Sequence, residues 1–96
     1  MFKIGKFEVY FKHYPDEVGE VEALITGQKL PYYGRTECTI TENDECIRDG
    51  SGYCGLNDRF NKVTGRKVAL ARALEGASKK FRTLIWNEYI KTARKV

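Results

Sequence analysis

The chain is poor in groups that do chemistry. It has one histidine, His13, and no serine, threonine or cysteine has an evident base partner in sequence. The stretch Thr64-Gly65-Arg66-Lys67 lacks the G-x-x-x-x-G-K-S/T spacing of a phosphate-binding loop. The adjacent carboxylates Asp44-Glu45 fall in an expected turn, where solvation accounts for them. Catalysis is therefore not expected, nor is a cofactor. The three cysteines, Cys38, Cys46 and Cys54, are an odd number at equal spacing. That pattern argues against a disulfide framework and fits no zinc knuckle. Small packed thiols are the simpler reading. No apolar run approaches the roughly 20 residues of a membrane helix. Met1-Phe2-Lys3-Ile4 is too short an apolar start for a secretory signal. A cytoplasmic location with no membrane partner is expected. Repeats, linkers and low-complexity segments are also missing.

Acidic residues are scarce in one part only. Residues 57–96 hold eleven Lys/Arg against three Asp/Glu, a balance of +8. Residues 1–56 hold six against ten, a balance of −4. A basic half of this kind faces an anionic partner: nucleic acid, nucleotide or acidic protein. Alternatively, acidic and basic halves of different copies attract one another in a homo-oligomer. With 96 residues, 42% of them hydrophobic and 12% aromatic, the chain is one folded domain, 1–96.

Period-2 patterning dominates the first half. In residues 6–13, Phe7, Val9 and Phe11 face one way, and Glu8, Tyr10 and Lys12 the other. Pro15 and Asp16 read as the end of that strand, residues 20–26 as a second strand, and residues 27–34 as a loop around Pro31. Adjacent Tyr32 and Tyr33 in that loop either stack on a ligand ring or pack over the sheet edge. Residues 35–41 form another strand, with Cys38 and Ile40 inward. Residues 42–45 read as a hairpin turn, residues 49–52 as a second tight connection, and residues 53–56 as a last extended piece.

Helical spacing takes over after residue 57. Thr64-Gly65 reads as a loop-to-helix junction with Thr64 as cap, and Gly65 allows close backbone approach. Arg66 then falls in the first helical turn, where free N–H groups and the dipole favour an anion. Gly76 reads as a stop and Ser78 as the next cap. Phe81, Leu84, Ile85 and Tyr89 form an apolar stripe, widened by Trp86 and Ile90. The expected fold is α+β: an N-terminal antiparallel sheet of four or five short strands, then two C-terminal helices at about 64–75 and 78–94. Two apolar helices on so small a sheet predict self-association through Trp86 and Ile90.

Five basic residues, Arg59, Lys62, Arg66, Lys67 and Arg72, crowd residues 57–74. The run Asp58-Arg59-Phe60-Asn61-Lys62-Val63-Thr64-Gly65-Arg66-Lys67-Val68-Ala69-Leu70-Ala71-Arg72-Ala73-Leu74 resembles small bacteriophage proteins. They share the pattern D-x-F-x-K-x-x-G-R-K-x-A-x-x-R-A-L downstream of a cysteine-bearing strand. Glu37-Cys38-Thr39-Ile40 and Gly52-Tyr53-Cys54 fit the same layout, so the resemblance spans roughly residues 36–75. One branch is the phage anti-Thoeris proteins, which look like an antiparallel sheet followed by two helices. The resemblance implies a sponge acting in an infected host cell. Such a protein captures a cyclic ADP-ribose-type immune signal without degrading it.

Read from the residues themselves, an anionic cyclic nucleotide asks for arginines, a helix N-terminus and an aromatic face. Asn57, Phe60, Asn61, Arg66, Lys67 and Arg72 are the candidates to supply them. Arg66 and Arg72 lie about 9 Å apart along a helix and on different faces. They therefore meet one ligand only between copies, unless Arg72 is structural. The alternatives are a phage inhibitor of a host protein, of the anti-CRISPR kind, and a basic nucleic-acid-binding accessory protein.

Overall fold

The computed structural model describes residues 1–22, 26–56 and 59–93. Four strands form one antiparallel sheet: β1 (Phe2–Ile4), β2 (Phe7–Glu22), β3 (Lys29–Glu42) and β4 (Glu45–Gly55). They lie in the order β1-β2-β3-β4. Two helices follow, α1 (Lys62–Ala73) and α2 (Lys79–Ala93). The α+β arrangement expected from the patterning is the one found, with the lower strand count.

The strands are longer than expected because punctuating residues sit inside them. Pro15 and Asp16 do not end β2. The register slips between Tyr14 and Val18, so Pro15 falls in a bulge. β1 pairs only with Phe7 to Val9, leaving that stretch of β2 on an edge where a missing N–H breaks no ladder. Residues 29–34 are likewise strand, not loop. Pro31 pairs with Glu20 on one side, and β4 stops pairing at Tyr32–Gly55 on the other. Of the strand expected at 20–26, residues 20–22 belong to β2, while 23–25 lie outside the described residues. Residues 49–52 are no tight connection either: Asp49, Gly50, Ser51 and Gly52 pair straight through with β3. The turn at Asn43-Asp44 stands as read, both residues at positive φ (50° and 67°) as a two-residue hairpin requires.

One sheet face carries both helices. Val9, Cys38 and Ile40 from the sheet and Ala69, Leu70, Leu74 and Ile85 from the helices are all buried there. α2 closes over β1 with Ile85, Tyr89 and Trp86, the Trp86 ring edge-on to Tyr89 at 5.6 Å. Leu84, 100° around the helix from Ile85, stays 41% exposed and drops out of the expected stripe.

Glycine sets where α1 lies. A Cβ on Gly50 would stand 2.3 Å from the Ala73 backbone nitrogen, and one on Gly52 3.0 Å from Val68. A Cβ on Gly65 would stand 2.3 Å from Thr36 Oγ1. At Gly50 the helix backbone therefore rests directly on the β4 backbone, while Val68 packs on Gly52 and Thr36 packs on Gly65. At its far end Arg48 Nη1 donates to Glu75 O at 2.8 Å, satisfying a carbonyl beyond the last turn.

On the opposite face the bulge turns Glu17 inward. It accepts from Arg35 Nε at 2.7 Å and Tyr32 Oη at 2.6 Å, and those bonds hold its carboxyl below the usual range. Tyr32 is thus buried and spent on packing, its ring 4.7 Å from Tyr53. Tyr33 remains exposed, its hydroxyl 3.3 Å from Asp16.

Candidate functional site

The start of α1 differs from the expectation in a way that moves the site. Its cap is Asn61, not Thr64. Asn61 Oδ1 accepts from Val63 N at 2.9 Å and Thr64 N at 3.2 Å, and Gly65 N donates to Asn61 O at 2.8 Å. Asparagine outranks threonine as a cap, and starting the helix at Lys62 places Gly65 where it meets Thr36. Two consequences follow. The first-turn N–H groups are largely satisfied within the chain, and Arg66 sits in the second turn. The helix end therefore has few free N–H groups to offer a ligand.

A cavity of about 330 Å³ opens where β4 meets this helix start. Gly52, Tyr53 and Cys54 of β4 form one wall. Thr64, Gly65 and Val68, successive positions on one flank of α1, form the other. Arg59, Phe60 and Asn61 close the end. The volume is at the lower limit of small-molecule pockets. The lining residues include the aromatic Tyr53 and Phe60, the hydroxyl-bearing Thr64 and the cationic Arg59. Arg59 is exposed and has no ion pair among the described residues.

Phe60 is the pivot of the arrangement. Its ring packs on Gly34, where a Cβ would stand 2.5 Å from it and where φ is +100°. Behind it lies His13, its ring edge-on at 6.0 Å and 81°. His13 Nδ1 is 2.8 Å from Oγ1 of the fully buried Thr36. Burial, then the nearby charges of Arg66 and Lys62, push the imidazole below its ordinary pKa.

Of the six expected site residues, Phe60 and Asn61 line the cavity, Asn61 with its oxygen committed to the cap. Arg66 is half-buried on the other flank of α1, towards His13. Lys67 is exposed and outside the cavity lining. Arg72 stands at the opposite end of the helix, 3.9 Å from Glu75, the ion-paired arrangement weighed as its structural alternative. Asn57 lies outside the described residues. Arg59, Thr64, Tyr53, His13 and Lys62 were not among the candidate ligand-binding residues. His13 continues the inward series Phe7, Val9, Phe11, and that parity was the available signal.

Among the described residues no group of three His, Cys, Asp or Glu side chains is placed to hold a metal ion. None of their helices is long and apolar enough to cross a membrane. Comparison with protein-family models, curated proteins and solved structures gives no match.

Proposed function

We propose that this chain is a non-catalytic binder of an anionic nucleotide. The observation that supports it most is the cavity beside the start of α1, whose lining brings the cationic Arg59 and the aromatic Phe60 together. A guanidinium grips two phosphate oxygens at once, and an aromatic face suits a purine. The phage-type pattern at residues 58–74 coincides with the cavity's helix wall. On that resemblance the ligand is a cyclic ADP-ribose-type immune signal, and the role is counter-defence by sequestration in an infected cell.

The experiment is capture. The protein is incubated with extract from phage-challenged cells, repurified and heat-denatured, and the released small molecules are identified by mass spectrometry. Recovery of an intact cyclic nucleotide in stoichiometric amount is expected. Recovery of none, or of a cleaved product only, overturns the reading.

A further inference from the structure

The cavity accounts for only one flank of the α1 start. On the other flank the cations Lys62 and Arg66 lie near enough for their charges to act on His13. Lys62 and Arg66 are spaced i,i+4, so they project from the same side of the helix. The bare backbone of Gly65, pressed onto Thr36, brings that side down beside His13, which is bonded to the same Thr36. Like charges at i,i+4 disfavour a helix. Among the described residues neither Lys62 nor Arg66 has a carboxylate or any other hydrogen-bond partner, although Arg66 is half-buried.

The imidazole is held firmly. Thr36 Oγ1 fixes Nδ1, and Phe60 packs against the ring. Nε2 has no hydrogen-bond partner among the described residues. The charges that act on His13 are those of Arg66 and Lys62, both from α1, whose Gly65 lies against the Thr36 that holds the imidazole. β3 presents the uncharged Thr36, the approach to α1 presents Phe60, and no described carboxylate faces the ring. The like charges are thus brought together at a cost to the helix with no described carboxylate to offset them.

We propose that Lys62, Arg66 and His13 form an oxyanion subsite for a phosphate or diphosphate group, separated from the cavity by Phe60 and Gly65. It rests on the nucleotide reading for the kind of ligand: the cavity takes the nucleoside end with the nearer phosphate against Arg59, and this flank takes the further phosphate. Bound phosphate cancels the repulsion from Arg66 and Lys62 and accepts a hydrogen bond from a protonated His13. Binding is therefore linked to proton uptake, and affinity rises as pH falls through the imidazole range.

His13 is the only histidine, so its imidazole proton resonances report on the subsite without assignment ambiguity. The His13 midpoint is titrated by proton NMR at constant ionic strength, alone and with inorganic diphosphate. A saturable upward shift in the wild-type protein is expected, lost in the Lys62→Gln/Arg66→Gln variant and reduced in the exposed single variant Lys62→Gln. An unshifted midpoint, a non-saturating drift or an equal shift in the double variant overturns the proposal. ADP-ribose separates this from the cavity reading. If ADP-ribose binds by calorimetry while the His13 midpoint ignores both ligands, the subsite falls and the nucleotide reading stands. If diphosphate moves His13 but no nucleotide binds more tightly than diphosphate, the subsite stands and the cavity reading falls.

Discussion

Replacing Gly50 by alanine tests how α1 is held on the sheet. The added Cβ would stand 2.3 Å from Ala73 N, 2.7 Å from the Arg72 carbonyl carbon and 2.8 Å from Ala69 O. All three are helix backbone, so no side chain can swing aside. Non-bonded contacts settle at about 3.5–4.0 Å, so the helix must retreat by about 1 Å. A gap of that size forfeits up to about half of the local dispersion energy along the seam of Ala69, Leu70 and Ala73. Overpacking of this kind costs about 1–3 kcal/mol, against a gain of about 0.4–1 kcal/mol from the stiffer unfolded chain. The net loss is about 1–2 kcal/mol, a fall in Tm of roughly 4–16 °C for a domain of this length. Gly52→Ala should cost less, since its closest neighbour at 3.0 Å is the partly exposed Val68 side chain. Urea unfolding followed by Trp86 fluorescence gives both values. A Gly50→Ala protein as stable as wild type, or a Gly52→Ala protein that is less stable than Gly50→Ala, would refute the reasoning.

The folded-state pKa of His13 is depressed, so the unfolded chain takes up the proton first as pH falls. Stability from this group is full above the ordinary imidazole value of 6.5 and declines below it; His13→Gln should flatten that part of the pH–stability curve, and an unchanged slope would contradict it. Burial pushes the Cys38 thiol up to about 12, whereas Cys46 is exposed. A thiol reagent at neutral pH should therefore modify Cys46 first and Cys38 only on unfolding, as peptide mass mapping would show; early labelling of Cys38 would count against the packing. Val18, Leu30, Leu56 and Ile90 leave apolar surface uncovered, and the two halves of the sequence carry opposite charge. We expect light scattering to give a mass above 11.0 kDa at micromolar concentration, lowered by Ile90→Lys; a wild-type mass of 11.0 kDa refutes self-association.

Alternation at Phe7-Val9-Phe11 and at Cys38-Ile40 made the sheet legible, because each strand has one buried face. Strand ends were not legible. Pro15, Pro31 and Gly50 read locally as punctuation, yet each is tolerated for a long-range reason: a bulge on an edge, an unpaired strand side and a helix pressed onto the backbone. The start of α1 was misplaced because Asn61 and Thr64 both suit a cap. Packing of Gly65 on Thr36, invisible to local pattern, decides between them. Charge crowding around residues 59–72 marked the right region for the cavity. It could not tell Arg59 at the cavity from Arg72 at the far end of the helix, because that depends on which flank of α1 faces β4. Trp86, read as widening the stripe and as a contact between copies, is partly buried and packs edge-on against Tyr89 within one copy.

On the proposed function, the cavity beside Arg59 and Phe60 takes an anionic nucleotide. Calorimetric titration of wild type and Arg59→Gln with cyclic ADP-ribose tests it most directly. Arg59 is exposed and has no ion pair among the described residues, so the substitution leaves the fold in place. Saturable binding is predicted for wild type. Loss of one charged hydrogen bond, about 1.5–3 kcal/mol, weakens the variant by roughly ten- to a hundredfold. Equal affinity in the two proteins, or no binding heat in either, contradicts the account.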